Sequence, residues 1–112
     1  MLSCKYGANC AAKIDAVVNA SSSGANTLVA AVTGRRIVVV SAFFLAAGAV
    51  TGTIQSGAGG TALCGPVALP ANGGFVLPFN PNGWFETTEG VLLNLNLGGA
   101  VQVGGVISYV LV

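Results

Sequence analysis

The sequence predicts an all-β protein: a single-domain antiparallel β-sandwich of the jelly-roll kind, over residues 14–112, with an N-terminal arm at 1–13. In 91–97, apolar residues fall at every second position and asparagines lie between the leucines. Successive side chains of a strand point to opposite faces, so this period indicates a strand with one face in a core. Similar short runs recur about every eight to twelve residues between Gly-, Pro- and Asn-rich segments, which is typical of sandwiches. We expect about eight or nine strands and no helix.

The N-terminal third contains the arm and two strands. Residues 1–13 include two of the three cysteines and show no alternation. We interpret them as an extended arm or a short Ala-rich helix that contacts a neighbouring subunit, or as a mobile terminus. Strands are predicted at 14–19 and 27–32, on either side of a loop rich in serine.

The longest apolar run, 36–47, predicts a strand that is covered on both faces. It places Ile37, Val39, Phe43 and Leu45 on one face and Val38, Val40, Ala42 and Phe44 on the other. One face of a sandwich strand meets the opposite sheet, so we expect a subunit interface to cover the second face. The next run, 49–56, alternates and is expected to pair with this strand across Ala47-Gly48.

The second half supplies short strands and strong turn signals. Residues 61–69 predict a strand broken by Gly65-Pro66, which suits a sheet edge because proline has no N–H to donate. Asn72-Gly73 is a hairpin signal, and Gly98-Gly99 is interpreted as a further hairpin connection. Gly104-Gly105 lies inside the last strand and predicts a bulge, a bend or a close backbone approach.

Composition separates the remaining protein classes. Hydrophobic residues are 54% of the chain and charged residues 6%, whereas a soluble domain averages about a quarter charged. This favours a subunit that hides surface in an assembly; a spanning helix over 37–54 is the alternative, but β-branched residues, Gly48 and Gly52 argue against it. All basic residues lie at or before position 36 and the net charge is +1, so no cationic surface for nucleic acid is expected. We expect neither nucleic acid nor a membrane as partner.

The residues that carry chemistry are few. The chain has no histidine, so the usual Ser/His and Cys/His dyads are excluded. Glu86 and Glu89 lie in one predicted turn, which we interpret as a solvated loop rather than a glycosidase pair. Three cysteines at this spacing do not fit a zinc site; they are reduced thiols, or Cys4 and Cys10 form a disulfide, or one forms a bridge between subunits. We expect no enzyme, catalytic residue, cofactor, metal or small-molecule substrate.

Aromatic residues and an arginine pair are the candidates for an interface. Trp84 with Phe85, and Phe75 with Phe79, adjoin a loop, where such groups are core anchors, interface hot spots or a sugar-binding platform. The arginine pair meets acidic groups of a partner or stands in solvent at a strand entrance. The interface candidates are Arg35, Arg36, Phe44, Phe75, Phe79, Trp84 and Phe85.

Four segments, 71–75, 83–87, 93–97 and 108–110, together resemble small structural proteins of tailed bacteriophages. The resemblance extends more loosely through 34–37 and 48–50 and so covers about residues 14–112. Some small β-sandwich proteins of such virions are head decoration, or cement, proteins: homotrimers seated where capsomers meet.

The resemblance implies a protein of the outer surface of the phage head, assembled in the host cytoplasm, that stabilises contacts between capsomers. Its implied partners are its own copies, as a trimer, and the major capsid protein. Tail and fibre modules use similar sandwiches. The alternative is therefore a tail or fibre module that binds a host-surface glycan through Trp84 and the loop of Phe75 and Phe79.

Overall fold

The computed structural model describes residues 13–112, which form ten β-strands and no helix. The strands are β1 (Ile14–Ala20), β2 (Gly24–Val29), β3 (Ile37–Ala46), β4 (Val50–Ser56), β5 (Thr61–Ala62), β6 (Val67–Leu69), β7 (Gly73–Leu77), β8 (Phe85–Glu86), β9 (Leu93–Leu97) and β10 (Val103–Leu111). Apart from Lys13, the predicted arm lies outside the described residues, and so do Cys4 and Cys10. Within 13–112 no helix could span a membrane, and the alternative of a helix over 37–54 is wrong because these residues form β3 and β4.

The strands form two antiparallel sheets that pack face to face. Sheet I has the order β1-β10-β3-β7, with β8 beside β3, and sheet II has the order β2-β9-β4-β5, with β6 beside β4. This is the strand order of a jelly roll, in which the chain passes from one sheet to the other at most connections. The predicted all-β sandwich of the jelly-roll kind is thus confirmed.

Three connections that the sequence predicts as hairpins pass between the sheets instead. Ala47-Gly48 joins β3 of sheet I to β4 of sheet II, and Gly98-Gly99 joins β9 to β10 in the reverse direction. Asn72-Gly73 does form a tight turn, with a φ of 60° at Asn72 and a hydrogen bond of 3.0 Å from the Gly73 N–H to the Pro70 oxygen, but it joins β6 to β7. A turn residue fixes the local backbone, whereas the apolar faces of the flanking strands decide whether these pair or stack.

The core lies between the two sheets and is lined by the inner residues of both. Leu93, Leu95 and Leu97 of β9 point into it at 4% exposure or less, as their spacing predicts. The edge strand broken by Gly65-Pro66 is also confirmed, since β5 and β6 both pair with β4 at the border of sheet II.

A bulge in β3 changes which of its residues face the core. The register between β3 and β10 shifts between Ser108 and Tyr109, where β3 contains one additional residue, Val40. One extra residue reverses the alternation of side chains, so the predicted faces hold only on one side of it. The inner residues of β3 are Ile37, Val39, Ala42, Phe44 and Ala46. Val38 and Val40 instead pack with Val110 and Val112 in a small separate cluster.

Candidate interaction surface

An uninterrupted row of apolar side chains crosses the outer face of sheet I. Val17 of β1 lies opposite Val106 of β10, Val106 opposite Phe43 of β3, and Phe43 opposite Val76 of β7. Residues directly opposite each other on neighbouring strands have Cβ atoms about 4.5–5.5 Å apart, so each of these side chains lies next to the following one in the row. We call Val17, Val106, Phe43 and Val76 the apolar row.

The apolar row lies on the solvent side of strands whose opposite face lines the core. Val17 is 79% exposed, Val76 72% and Phe43 42%, while Val106 is half-buried. The chain neighbours of these residues point inward and fill the sandwich, which leaves the row no place in the interior. Leu45, 53% exposed, enlarges the surface beside Phe43.

A polar row borders the apolar row on one side. Asp15, Ser108 and Ser41 lie opposite one another on β1, β10 and β3. The Ser108 hydroxyl donates to Asp15 Oδ1 at 2.7 Å, and Lys13 Nζ donates to Oδ2 at 3.2 Å. These two donors, the serine first, lower the pKa of Asp15 below its ordinary value. The Asp15 carboxylate is therefore held by hydrogen bonds from Ser108 and Lys13 at the border of the apolar row.

The outer face of sheet II has a different chemistry. Thr27, Asn94 and Gln55 lie opposite one another on β2, β9 and β4, followed by Ala25, Asn96 and Thr53 in the next register positions. Asn94 Nδ2 donates to Gln55 Oε1 at 2.8 Å, whereas Asn94 Oδ1 is buried without a hydrogen-bond partner. Asn94 is completely buried on this face, and apart from Ala25 the more exposed side chains around it are uncharged amides and hydroxyls. The candidate interaction surface is therefore the outer face of sheet I.

Three of the aromatic interface candidates pack in the core. Phe44 is 2% exposed, and its ring lies 4.9 Å from that of Phe75 at an interplanar angle of 42°. Phe75 and Phe85 are half-buried and pack against the same core. The expectation of an interface role for Phe44 is corrected, because the bulge at Val40 turns Phe44 inward and leaves Phe43 outside.

Trp84 and Phe79 remain on the surface, at 42% and 51% exposure. The Trp84 indole N–H donates to the Pro78 oxygen at 2.7 Å, and its backbone N–H donates to the Val39 oxygen at 2.7 Å. These bonds fix the loop between β7 and β8 against β3. Because Phe75 packs against the core, it does not share a surface platform with Phe79.

The arginine pair lies exposed at the entrance to β3. The Arg36 N–H donates to the Val112 oxygen at 2.8 Å and the Arg36 oxygen accepts from the Val112 N–H at 3.1 Å. The Arg35 oxygen accepts from the Gly90 N–H at 2.8 Å. Within residues 13–112 neither guanidinium forms an ion pair with a carboxylate. Both side chains are accessible to a partner, as their position at a strand entrance predicts.

Alternation along the chain does not predict Val17, Val76 and Val106 as surface residues. A sequence signal is nevertheless present. Each valine occupies the outward position at which a half-exposed strand would carry a polar residue, and its chain neighbours are apolar or glycine. The same signal is longest in residues 36–47, where it predicts that a second face of the strand is covered.

Side chains with reactive groups are dispersed over the described part of the chain. No group of three or more His, Cys, Asp and Glu residues is found among residues 13–112. The half-buried Cys64 is a free thiol whose Sγ accepts a hydrogen bond from the Ile54 N–H at 3.4 Å. This hydrogen bond joins the segment between β5 and β6 to the backbone of β4 at the edge of sheet II.

Comparison with family models, curated proteins and solved structures gives no match for this chain. The resemblance to phage structural proteins therefore rests on the sequence segments that carry it and stays an expectation. The fold and the apolar row rest on strand register and burial.

Proposed function

We propose that this protein is a non-enzymatic structural protein of a phage virion, a head decoration protein that stabilises contacts between capsomers. The observation that carries the proposal is the apolar row on the outer face of sheet I. A contiguous exposed apolar surface of this kind marks an interaction site, because burying it releases water from apolar groups.

Burial of the apolar row would contribute a repeated contact of moderate strength. Complete burial of a Val or Phe side chain contributes about 1.5–3 kcal/mol relative to full exposure. Phe43 is already partly covered, so burial of Val17 and Val76 would contribute the larger share of this free energy. A protein that binds only the assembled shell raises the stability of that shell by mass action.

The fold and the resemblance support the remaining parts of the proposal. Jelly rolls occur in viral capsid proteins and in lectins, so the strand order is compatible with a shell component. The resemblance to small phage proteins favours the head, with the major capsid protein and further copies of this chain as partners. A trimer on a threefold position follows from the resemblance and agrees with the closed symmetry of most homo-oligomers.

Binding to heads that lack the protein tests the proposal. We expect wild-type protein to co-sediment with such heads. Val76→Glu is expected to bind at least about tenfold more weakly than wild type, because a carboxylate would be buried in the contact. Thr53→Glu, on the outer face of sheet II, is the matched control and is expected to bind like wild type. Equal binding of Val76→Glu and wild type, or no binding of wild type, would contradict the proposal.

The exposure of Trp84 and Phe79 supports a second candidate, a tail or fibre module that binds a host-surface glycan. Sugar rings stack on exposed aromatic faces, and the two rings lie in one loop region beside β3. Trp84 is the single tryptophan of the chain, so its fluorescence reports binding at this site directly. A saturable change on addition of host glycans would favour this candidate over the head protein.

A further inference from the structure

The borders of the two sheets differ in how well they are protected against pairing with another strand. Natural proteins protect such edges with prolines, bulges or breaks, because an unpaired edge is a template for a further strand. The β5–β6 border is interrupted by Gly65-Pro66, and the β7–β8 border contains Pro78 and Pro81 between its strands. At the β2 border the register with β9 shifts between Thr27 and Val29.

Strand β1, the remaining border, has none of these devices. Its seven residues pair with β10 in one continuous register, from Ile14 opposite Tyr109 to Ala20 opposite Val103. Among the described strands β10 is its single partner, since β1 stands at the end of the order of sheet I. It contains no proline, and Asp15 is its one charged residue. Within residues 13–112, the outer edge of β1 therefore offers an extended backbone to a further strand.

We propose that two copies of this chain pair along β1, antiparallel and related by a two-fold axis at Val17. Val17 is the central residue of β1, so this axis matches the whole strand with its copy. Val17 then meets Val17 of the second copy, Ala16 meets its Val18, and Asp15 meets its Asn19. The amide of Asn19 can donate to the Asp15 carboxylate, and no like charges are opposed.

The side chains of β1 favour this register over the registers whose axis lies at Asp15 or Ala16. An axis at Asp15 would oppose two carboxylates, which is destabilising, and an axis at Ala16 would oppose Asp15 to Val17. An axis at Val17 also joins the apolar rows of the two copies end to end, because the row reaches the border of the sheet at Val17. The paired sheets then carry one apolar row of twice the length on a single outer face.

This contact is separate from the proposed function in both place and symmetry. Pairing uses the edge of sheet I and leaves its outer face free for a capsomer. A two-fold contact cannot occur inside a closed trimer, so on a head it joins one trimer to the next. In solution it produces even-numbered assemblies, either a dimer or, where the threefold contact also forms, a hexamer.

Native mass spectrometry and light scattering of the full chain test this inference. We expect an even-numbered assembly for wild type and half that number for Val17→Glu, because two carboxylates would meet on the axis. Val17 is 79% exposed, so the substitution leaves the core intact, which circular dichroism verifies. Val76→Glu, at the far end of the same row, is the matched control and is expected to assemble like wild type.

Three results would overturn the inference. These are a wild-type monomer or trimer at every concentration, unchanged assembly of Val17→Glu, and equal loss of assembly in both variants, which would place the contact on the face rather than on the edge. None of these results bears on head binding, which is measured separately by co-sedimentation.

Discussion

At the scale of single residues, Asp15 shows how the border of the apolar row is organised. Its carboxylate accepts from the Ser108 hydroxyl at 2.7 Å and from Lys13 Nζ at 3.2 Å. Both donors stabilise the charged form, which lowers the pKa of Asp15. Because this carboxylate is exposed, solvent screens its contribution to stability, and the pKa is the more sensitive observable.

The change Ser108→Ala is expected to raise the pKa of Asp15 towards its ordinary value, although Lys13 still holds it somewhat low. A pH titration of the Asp15 carboxyl carbon by NMR measures this. A pKa lowered in the folded state adds stability above the unfolded pKa, and this stability is lost as the pH falls through the folded pKa. Any difference in unfolding free energy between the variant and wild type through this group is therefore present at neutral pH and disappears in acid.

The control for this titration is Ser41→Ala. Ser41 lies in the same polar row on β3, but its hydroxyl does not bond Asp15. We expect the pKa of Asp15 to be unchanged in this variant. An unchanged pKa in Ser108→Ala itself would show that the hydroxyl does not hold the carboxylate in solution.

At the scale of elements, glycines allow close approach on both sides of β3. Gly105 of β10 has a φ of 154°, and a Cβ atom there would overlap the carbonyl oxygen of Phe43. A Cβ atom at Gly74 of β7 would overlap the carbonyl oxygen of Phe44. The close approach predicted for Gly104-Gly105 is thus confirmed at Gly105, while the bulge lies elsewhere, at Val40 of β3.

Gly105→Ala is expected to lower the free energy of unfolding by about 2–4 kcal/mol, through backbone strain and displacement of β3. Urea unfolding followed by circular dichroism measures this change. Gly104→Ala is the matched control, since the nearest atom to its Cβ would be the Val18 oxygen at 3.8 Å; we expect a change of about 1 kcal/mol or less. Equal losses of unfolding free energy in the two variants would contradict a close backbone approach that is specific to Gly105.

The same elements show which features local patterns can predict. Alternation in β9 and the broken edge of β5 and β6 are properties of neighbouring residues, so strands and edge were predictable. Strand pairing depends on which apolar faces meet across the core. An Asn-Gly turn can connect two strands of one sheet or strands of two sheets, and Asn72-Gly73 does the latter. The bulge at Val40 ends an unbroken apolar run from Ile37, so alternation there does not show which face points inward. Beyond the bulge, Ser41 is the one polar residue of β3, and it shares the outer face of the sheet with Phe43.

At the scale of the whole molecule, the sandwich has two unlike outer faces. It measures 47 × 24 × 20 Å, with the apolar row on sheet I and amides and hydroxyls on sheet II. Charges are sparse, so the association proposed for sheet I would be driven by apolar contact rather than by electrostatic attraction. An interface on sheet I and solvent on sheet II is the orientation that this division favours.

Cryo-electron microscopy of purified phage particles tests the central claim most directly. We predict ordered density for this protein in multiples of three on the outside of the head, with Val76 and Phe43 directed at a neighbouring subunit and sheet II facing solvent. Density confined to the tail, absence of the protein from the particle, or a head-bound copy whose apolar row faces solvent would contradict the account.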